Sequence, residues 1–163
     1  WNTEQDAGRT LAEATHSLIA EHPQHEALIR AYYDRWHEML RGPLADGVAI
    51  LEDLHEAKVP LFGLTNWSAE TFPYARANYP FLKYFRNIVV SGEVRLIKPD
   101  PAIYRASLDQ VRAHLPDIRP EELVFIDDVA ENAHAASAVG WRGIHHVSPE
   151  QTRGELKALG VNF

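Results

Sequence analysis

The segment Leu123–Asp128 constrains the fold more than any other part of the chain. It reads Leu-Val-Phe-Ile-Asp-Asp, a short apolar run that ends abruptly in two carboxylates. Such a run, bounded by a polar turn, predicts a strand that is buried on both faces. Ligands of open α/β sheets bind outside the carboxyl ends of the strands, so Asp127 and Asp128 are expected at the mouth of a site.

Two adjacent carboxylates repel each other unless a cation or a proton relieves them. A divalent ion that takes oxygen ligands, such as Mg²⁺, would supply that relief. The alternative is a strand that simply ends in a turn, where Asp is common. On this segment alone the two interpretations are equally favoured.

Composition excludes several classes of function. The chain has 163 residues, enough for one domain or for one domain with a small attachment, and a net charge of −7 without a basic cluster. Nucleic acid is therefore not expected as the main partner. The absence of cysteine rules out disulfides, thiolate metal sites and a Cys nucleophile. No apolar run reaches membrane length and no signal peptide is visible, so a cytoplasmic protein without a membrane partner is the default expectation. Nothing in the sequence bears on oligomeric state.

Residues 3 to about 41 show only helical periodicity, which predicts a helical hairpin interrupted at Pro23. Each half carries an apolar stripe. The second stripe is rich in aromatic residues, and we expect it to pack in the core rather than to form a ligand cage. The stripes consist of Leu11, Ala14, Leu18 and Ile19, and of Leu28, Ile29, Tyr32, Tyr33, Trp36 and Leu40.

Strand and helix patterns alternate after Gly42-Pro43, which predicts a parallel sheet with right-handed crossovers. The sequence therefore indicates an α/β protein with a helical portion over 1–42 and an α/β core over 43–163. Asp46, Ser68 and Asp100 are candidate helix N-caps, and Pro101 occupies a favoured first position. Helices are expected over about 46–58, 68–78, 100–114, 130–139 and 149–159, and strands over 59–65, 88–91, 123–127 and 142–146.

Polar residues follow three of these predicted elements. Thr65 and Asn66 end the first strand, and with the helix start behind them they could bind an oxyanion, although a plain helix N-cap is the simpler interpretation. Lys98 lies before a helix in a proline-stiffened loop, where it could neutralise a phosphoryl group or remain a solvated lysine. Asn132 lies one turn beyond Asp127 and could hydrogen-bond the carboxylates or face solvent.

The order of these groups resembles the haloacid dehalogenase (HAD) superfamily of hydrolases. Thr65-Asn66 is similar to its second motif, Lys98-Pro-x-Pro-x-x-Tyr104 to its third, and Phe125-Ile-Asp-Asp-x-x-x-Asn132 to its fourth. The hairpin over 3–41 resembles part of the family's inserted cap. The resemblance implies a Rossmann-like parallel sheet with flanking helices and a small helical cap.

The family's first motif is absent from this sequence. It is an Asp-x-Asp-like segment that ends the first strand, upstream of the cap, and its first Asp is the nucleophile. The resemblance places that strand between those ending at Thr65 and Asp127, so the sheet is expected to lack its first strand and to expose two edges. We therefore expect the sequence to belong to a longer protein and the 163 residues to be inactive by themselves.

The acidic pair resembles the Mg²⁺-dependent phosphatases of the family, because its dehalogenases tend to replace the pair by Ser and Asn. The resemblance implies hydrolysis of a small phosphorylated metabolite through an aspartyl phosphate. Thr65 and Lys98 would bind phosphoryl oxygens beside Asn66, Mg²⁺ would contact Asp128, and Asp127 would orient Lys98 or hold the metal shell.

Two other functions remain open. A 2-haloacid dehalogenase on the same scaffold would need no metal, and a binding or interaction module would have lost its nucleophile. Zinc is disfavoured because His22 and His25 flank a proline and adjacent His145 and His146 point to opposite faces of a strand.

Overall fold

Helices alone occupy the chain up to Met39, and helices alternate with strands beyond it. The computed structural model describes residues 1–163. Its helices are α1 (Thr3–Asp6), α2 (Leu11–Glu21), α3 (Glu26–Asp34), α4 (Ala45–Glu56), α5 (Phe72–Asn78), α6 (Ser91–Val94), α7 (Pro101–Arg112), α8 (Ala130–Ala138) and α9 (Pro149–Ala158). The strands are β1 (Phe62–Thr65), β2 (Asn87–Val90), β3 (Val124–Asp127) and β4 (Arg142–His145). Short 3-10 helices cover Pro23–His25, Trp36–Met39, Pro80–Tyr84 and Pro120–Glu122.

The strands form two separate parallel pairs, β1 with β2 and β3 with β4. The predicted α/β class and the parallel pairing are therefore confirmed. The family resemblance led us to expect that β1 and β3 do not pair directly. They are indeed not hydrogen-bonded to each other. The division into a helical portion over 1–42 and a core over 43–163 stays a prediction.

The inner edges of the two strand pairs are open. Arg86 donates its peptide N–H to Leu61 O at 2.9 Å, which places the peptide group of Leu61 on the β2 side. Because successive residues of a strand turn to opposite sides, Phe62 and Leu64 direct their peptide groups away from β2. The same alternation leaves one edge of β3 facing away from β4. Neither of these two edges pairs with another strand.

Helices cover both faces of the strand pairs. Along β2, Ile88 and Val90 pack with α5, whereas Val89 points to the opposite face and packs with α7, as the two-residue period of a strand requires. One core face consists of Val89, Ile103, Tyr104, Phe125, Ala136 and Trp141, and the other of Ile50, Leu54, Ile144 and Leu156. The first cluster contains Val89 of β2 and Phe125 of β3, so its packing joins the two strand pairs into one layered unit.

Several local predictions hold. Asp100 caps α7 by accepting a hydrogen bond from Ala102 N at 2.7 Å, with Pro101 at the first helical position. Gly140 follows α8 with a φ of 93°, a conformation that favours glycine. No helix is both long and apolar enough to cross a membrane.

Two local predictions are wrong. Asp46 is not an N-cap, because α4 begins at Ala45 and places it in the first turn. Ser68 does not start α5, which begins at Phe72; its Oγ instead accepts a hydrogen bond from Glu70 N at 3.2 Å in the preceding loop. Within α4, Ile50 and Leu54 are buried, whereas Val48 and Leu51 are half-buried.

Gly143 lies where β4 approaches α8 too closely for any side chain. A Cβ atom at this position would overlap the peptide oxygen of Ala133 and lie 2.6 Å from Ser137 Oγ. We expect Gly143→Ala to lower the free energy of unfolding by about 3 kcal/mol or more, because helix backbone has to move. Chemical denaturation with circular dichroism measures this change.

Gly154→Ala is the matched control. Gly154 lies inside α9 with no atom within 4 Å of an added Cβ, so alanine should raise the free energy of unfolding by up to about 1 kcal/mol. Equal stability of the two variants would contradict the close packing of β4 on α8.

Candidate functional site

The ammonium group of Lys98 lies between the two strand pairs, at their carboxyl ends. Its Nζ donates to Asp127 Oδ2 at 2.6 Å and to Leu64 O at 3.1 Å. The Lys98 and Asp127 side chains are only 9% and 6% exposed. Lys98 is therefore a buried, paired lysine and not a solvated loop residue. It reaches the peptide oxygen that β1 directs away from β2.

Asn66 fixes the backbone of this lysine. Its Oδ1 accepts a hydrogen bond from Lys98 N at 2.9 Å, and its Nδ2 donates to Lys98 O at 3.0 Å. This reciprocal pair joins the loop after β1 to the loop before α7. The side chain of Asn66 thus acts on the position of Lys98.

Asp127 is the centre of the hydrogen-bond network at the site. Besides the lysine, it receives hydrogen bonds at Oδ1 from Val129 N at 2.9 Å and from Asn132 Nδ2 at 3.0 Å. Both carboxylate oxygens are thus engaged by protein N–H donors. Charge-assisted bonds of this kind hold the carboxylate, and with it the ammonium group of Lys98, in one orientation.

Tyr104 supports the network from the core. Its hydroxyl donates to Asn132 O at 2.8 Å, and its ring makes edge-to-face contacts with Phe125 and Trp141. Burial, together with the charges of Asp127 and Glu131, raises the pKa of Tyr104 to about 12. The hydroxyl therefore stays protonated near neutral pH and can act as the donor.

Thr65 and Asp128 complete the set of predicted residues. Thr65 ends β1, and its half-buried hydroxyl makes no side-chain hydrogen bond. Asp128 follows β3 and is exposed, and its carboxylate pairs with no protein cation or donor. A hydroxyl and a carboxylate therefore remain free to bind a ligand near the Lys98–Asp127 pair.

The sequence of this chain is similar to that of a known protein family. The sequence profile of the haloacid dehalogenase-like hydrolases matches residues 3–145, nearly the whole chain. The chain belongs to this family. The matched residues include all seven of the predicted site residues, from Thr65 to Asn132.

Three named proteins are similar in sequence to this chain. It is 32% identical over 117 residues to the sesquiterpene phosphatase astK of Aspergillus oryzae, covering 72% of this chain and 57% of that protein. It is 33% identical over 82 residues to bifunctional epoxide hydrolase 2 of Mus musculus, covering 50% of this chain and 14% of the relative. It is 32% identical over 77 residues to acyl-CoA dehydrogenase family member 10 of Mus musculus, covering 47% and 7%. The chain thus spans little more than half of the first relative and a small part of the other two.

The free carboxylate of Asp128 fits one part of a magnesium site. Proteins bind Mg²⁺ through one or two carboxylates, together with water and substrate phosphate. Asp128 offers a free carboxylate, whereas both oxygens of Asp127 already accept N–H hydrogen bonds. No group of three or more His, Cys, Asp or Glu side chains is placed to hold a metal ion. Asp128 therefore suits the role of one ligand, and the remaining ligands have to come from other groups.

The aromatic stripe of α3 does not pack in the core as we expected. Ile29 is buried, but Leu28 and Tyr32 are 72% and 39% exposed. Four residues of the stripe, Tyr32, Tyr33, Trp36 and Leu40, line a cavity of about 210 Å³ between the helical portion and the loop after β1. The helix is short and its partners are few, so its apolar face remains partly open. The cavity is lined by Asn2, Asp6, Tyr32, Tyr33, Trp36, Met39, Leu40, Asn66, Trp67, Ser68 and Thr71.

Two residues of α1, one at this cavity and one buried behind it, were not predicted from the sequence. Asp6 lines the cavity, and Gln5 is only 1% exposed. Neither belongs to a motif or to an apolar stripe. Gln5 contacts Tyr33, 28 positions away, and Asp6 contacts Ser91, 85 positions away, and the local pattern carries no signal for such long-range contacts.

Proposed function

We propose that this chain forms the greater part of a Mg²⁺-dependent phosphomonoester hydrolase that acts on a small phosphorylated metabolite. The observation that carries the proposal is the buried Lys98–Asp127 pair with the free carboxylate of Asp128 beside it. Family membership and the phosphatase name of one relative support it. The names of the other two relatives mention no phosphatase, so the geometry bears the main weight.

Lys98 supplies a fixed positive charge for the phosphoryl oxygens. Its ammonium group is shielded from solvent, and the protein already fixes its position through Asn66, Leu64 and Asp127. A charge that needs no reorganisation stabilises a developing negative charge more strongly than a solvated one. The free hydroxyl of Thr65 at the adjoining strand end can donate to the same oxygens.

The two carboxylates have different roles in this proposal. Asp127 orients Lys98, because its two oxygens are occupied by the ammonium group and by two N–H donors. Asp128 holds the metal ion, because its carboxylate is exposed and unpaired. When bound, Mg²⁺ would neutralise charge on the phosphoryl group. The sequence left two roles open for Asp127, to orient Lys98 or to hold the metal shell. The hydrogen bonds of its two carboxylate oxygens favour the first role.

The attacking carboxylate is proposed to come from a strand between β1 and β3. The open inner edges of the two strand pairs support this position, which adjoins the ammonium group of Lys98. A carboxylate oxygen forms a bond to phosphorus while the bond to the leaving-group oxygen breaks, and a neighbouring acid protonates that oxygen. Water then attacks phosphorus, which releases inorganic phosphate and restores the carboxylate.

Metal dependence distinguishes this proposal from a dehalogenase. The longer protein that contains the attacking carboxylate should hydrolyse p-nitrophenyl phosphate with Mg²⁺ and lose this activity in EDTA. Release of chloride from 2-chloropropionate in EDTA, without phosphatase activity, would establish the dehalogenase instead. Turnover of neither compound would favour a binding or interaction module.

Asp128→Asn should weaken activation by Mg²⁺ and lower kcat/KM for p-nitrophenyl phosphate by about tenfold or more, because a metal ligand is lost. The measurement is turnover as a function of Mg²⁺ concentration. Glu131→Gln is the matched control, since it removes one negative charge from an exposed position of α8. An unchanged Mg²⁺ titration in Asp128→Asn, or the same change in both variants, would reject the assignment.

A further inference from the structure

Hydrogen bonds fix the position of helix α1, although the helix has only four residues. The side chain of Gln5 donates to Tyr33 OH at 2.6 Å and to Trp1 O at 3.1 Å, and accepts from Arg9 Nε at 2.8 Å. The peptide oxygen of Asp6 accepts a hydrogen bond from Ser91 Oγ at 2.5 Å. These contacts attach α1 both to α3 and to the α/β core.

The Asp6 carboxylate is half-buried and has no cation beside it. The nearby Arg9 pairs with Glu4 instead. Burial raises the pKa of Asp6, and the Ser68 peptide N–H only partly offsets this effect. The other titratable groups that line the cavity are Tyr32 and Tyr33, which supply no positive charge. A carboxylate in such surroundings lacks a strong hydrogen-bond donor.

Aromatic rings stand at right angles around the same cavity. Trp36 and Trp67 meet at 88° with centroids 6.3 Å apart, and Tyr32 and Tyr33 meet at 83° with centroids 5.0 Å apart. Such rings present both faces and edges to a small occupant. They suit C–H groups or a cationic group whose polar atoms point elsewhere.

The cavity adjoins the phosphoryl-binding residues through Asn66. This residue lines the cavity and also exchanges two hydrogen bonds with the backbone of Lys98. An ester whose phosphoryl group contacts Lys98 can therefore extend its organic part towards α1. The cavity volume of about 210 Å³ suits a ring or a short chain rather than a macromolecule.

We propose that Asp6 selects the substrate by accepting a hydrogen bond from a hydroxyl or ammonium group on the leaving-group part of a phosphomonoester, while the aromatic rings contact its C–H surface. This inference rests on the proposed phosphatase function. The substrate class is then a polyol phosphate or an amino-alcohol phosphate. Both classes carry a donor that can bind the Asp6 carboxylate, which has no cationic partner.

Two pairs of esters test the proposal in the full-length protein. Inositol 1-phosphate and cyclohexyl phosphate share a six-membered ring but differ in hydroxyl groups, and 2-aminoethyl phosphate and ethyl phosphate differ in the ammonium group. Wild-type kcat/KM should be higher for the donor-bearing member of at least one pair. The pair that shows the difference identifies the donor.

Asp6→Ala should lower kcat/KM for that donor-bearing ester by about tenfold or more, because a hydrogen bond to a charged group is lost. For the matching ester without the donor, kcat/KM should change by less than about threefold. Asp6→Asn keeps a neutral acceptor, so it should affect an ammonium ester more than a hydroxyl ester. Glu4→Gln, on the same helix, is the control and should leave both ratios unchanged.

An equal loss for all four esters would assign Asp6 a purely structural role and overturn the proposal, as would no loss for any of them. Tryptophan fluorescence titrated with the same esters provides a second readout, because Trp36 and Trp67 line the cavity. If no ester is turned over, the proposed phosphatase function fails. Preferential binding of the donor-bearing ester that disappears in Asp6→Ala would still support the cavity's selectivity, and equal binding of all esters would refute it.

Discussion

Lys98→Ala is expected to lower kcat of the proposed phosphatase, measured on the full-length protein, by about 100-fold or more. The substitution removes an ammonium group that Asn66 and Asp127 hold at the carboxyl ends of the strands. Loss of one preorganised electrostatic group typically has an effect of this size. Steady-state turnover of p-nitrophenyl phosphate measures it, and near-normal kcat would show that Lys98 is not part of the reaction.

The buried position of Lys98 requires a control for stability. Breaking a buried ion pair destabilises a protein, since the Asp127 carboxylate loses its counter-ion. The Lys98 ammonium nitrogen lies 5.4 Å from the centroid of the Phe125 ring. Lys98→Met retains most of the apolar stem but carries no charge. It should lose activity as strongly as Lys98→Ala while remaining more stable in thermal unfolding.

Lys98→Arg should not restore full activity. One compact ammonium group donates both to Leu64 O and to Asp127 Oδ2. A planar guanidinium group is larger and directs its donors in a fixed fork, so it cannot reproduce both contacts from the same backbone position. Full activity in Lys98→Arg would indicate that positive charge alone matters and that its placement does not.

The sequence predicted the α/β core well because local rules dominate there. The apolar run ending at Asp127 is a strand, Asp100 and Pro101 start a helix, and Gly140 follows one. The order of polar groups at the strand ends also indicated which residues converge. The contacts of Lys98 with Asp127 and Asn66 bring these segments together, although they lie about 30 residues apart.

The helical portion could be predicted less well. A periodic stripe shows which side of a helix is apolar, but not whether another element covers it. Leu28 and Tyr32 are therefore exposed although they belong to the stripe of Ile29. Asp6 was missed for a related reason, because its environment depends on the packing of α1 against the loop at Ser68.

The unpaired inner edges of β1 and β3 lead to the second prediction with a large expected effect, which concerns phosphatase activity. The proposal places the attacking aspartate on a strand between β1 and β3, and no strand of residues 1–163 pairs with the inner edge of either one. In the proposed function Lys98, Thr65 and Asp128 bind and stabilise the phosphoryl group or the metal ion, and none of them is the attacking carboxylate. We therefore expect residues 1–163 alone to show no phosphatase activity above background.

The most direct test compares these 163 residues with a form of the protein that extends further upstream. Both are assayed for release of p-nitrophenol from p-nitrophenyl phosphate in the presence of Mg²⁺. Only the longer form should turn over the ester, and replacing the first Asp of an upstream Asp-x-Asp segment by Asn should abolish its activity. Turnover by residues 1–163 at the rate of the longer form would contradict the account, because it would show that the catalytic carboxylate already lies within this chain.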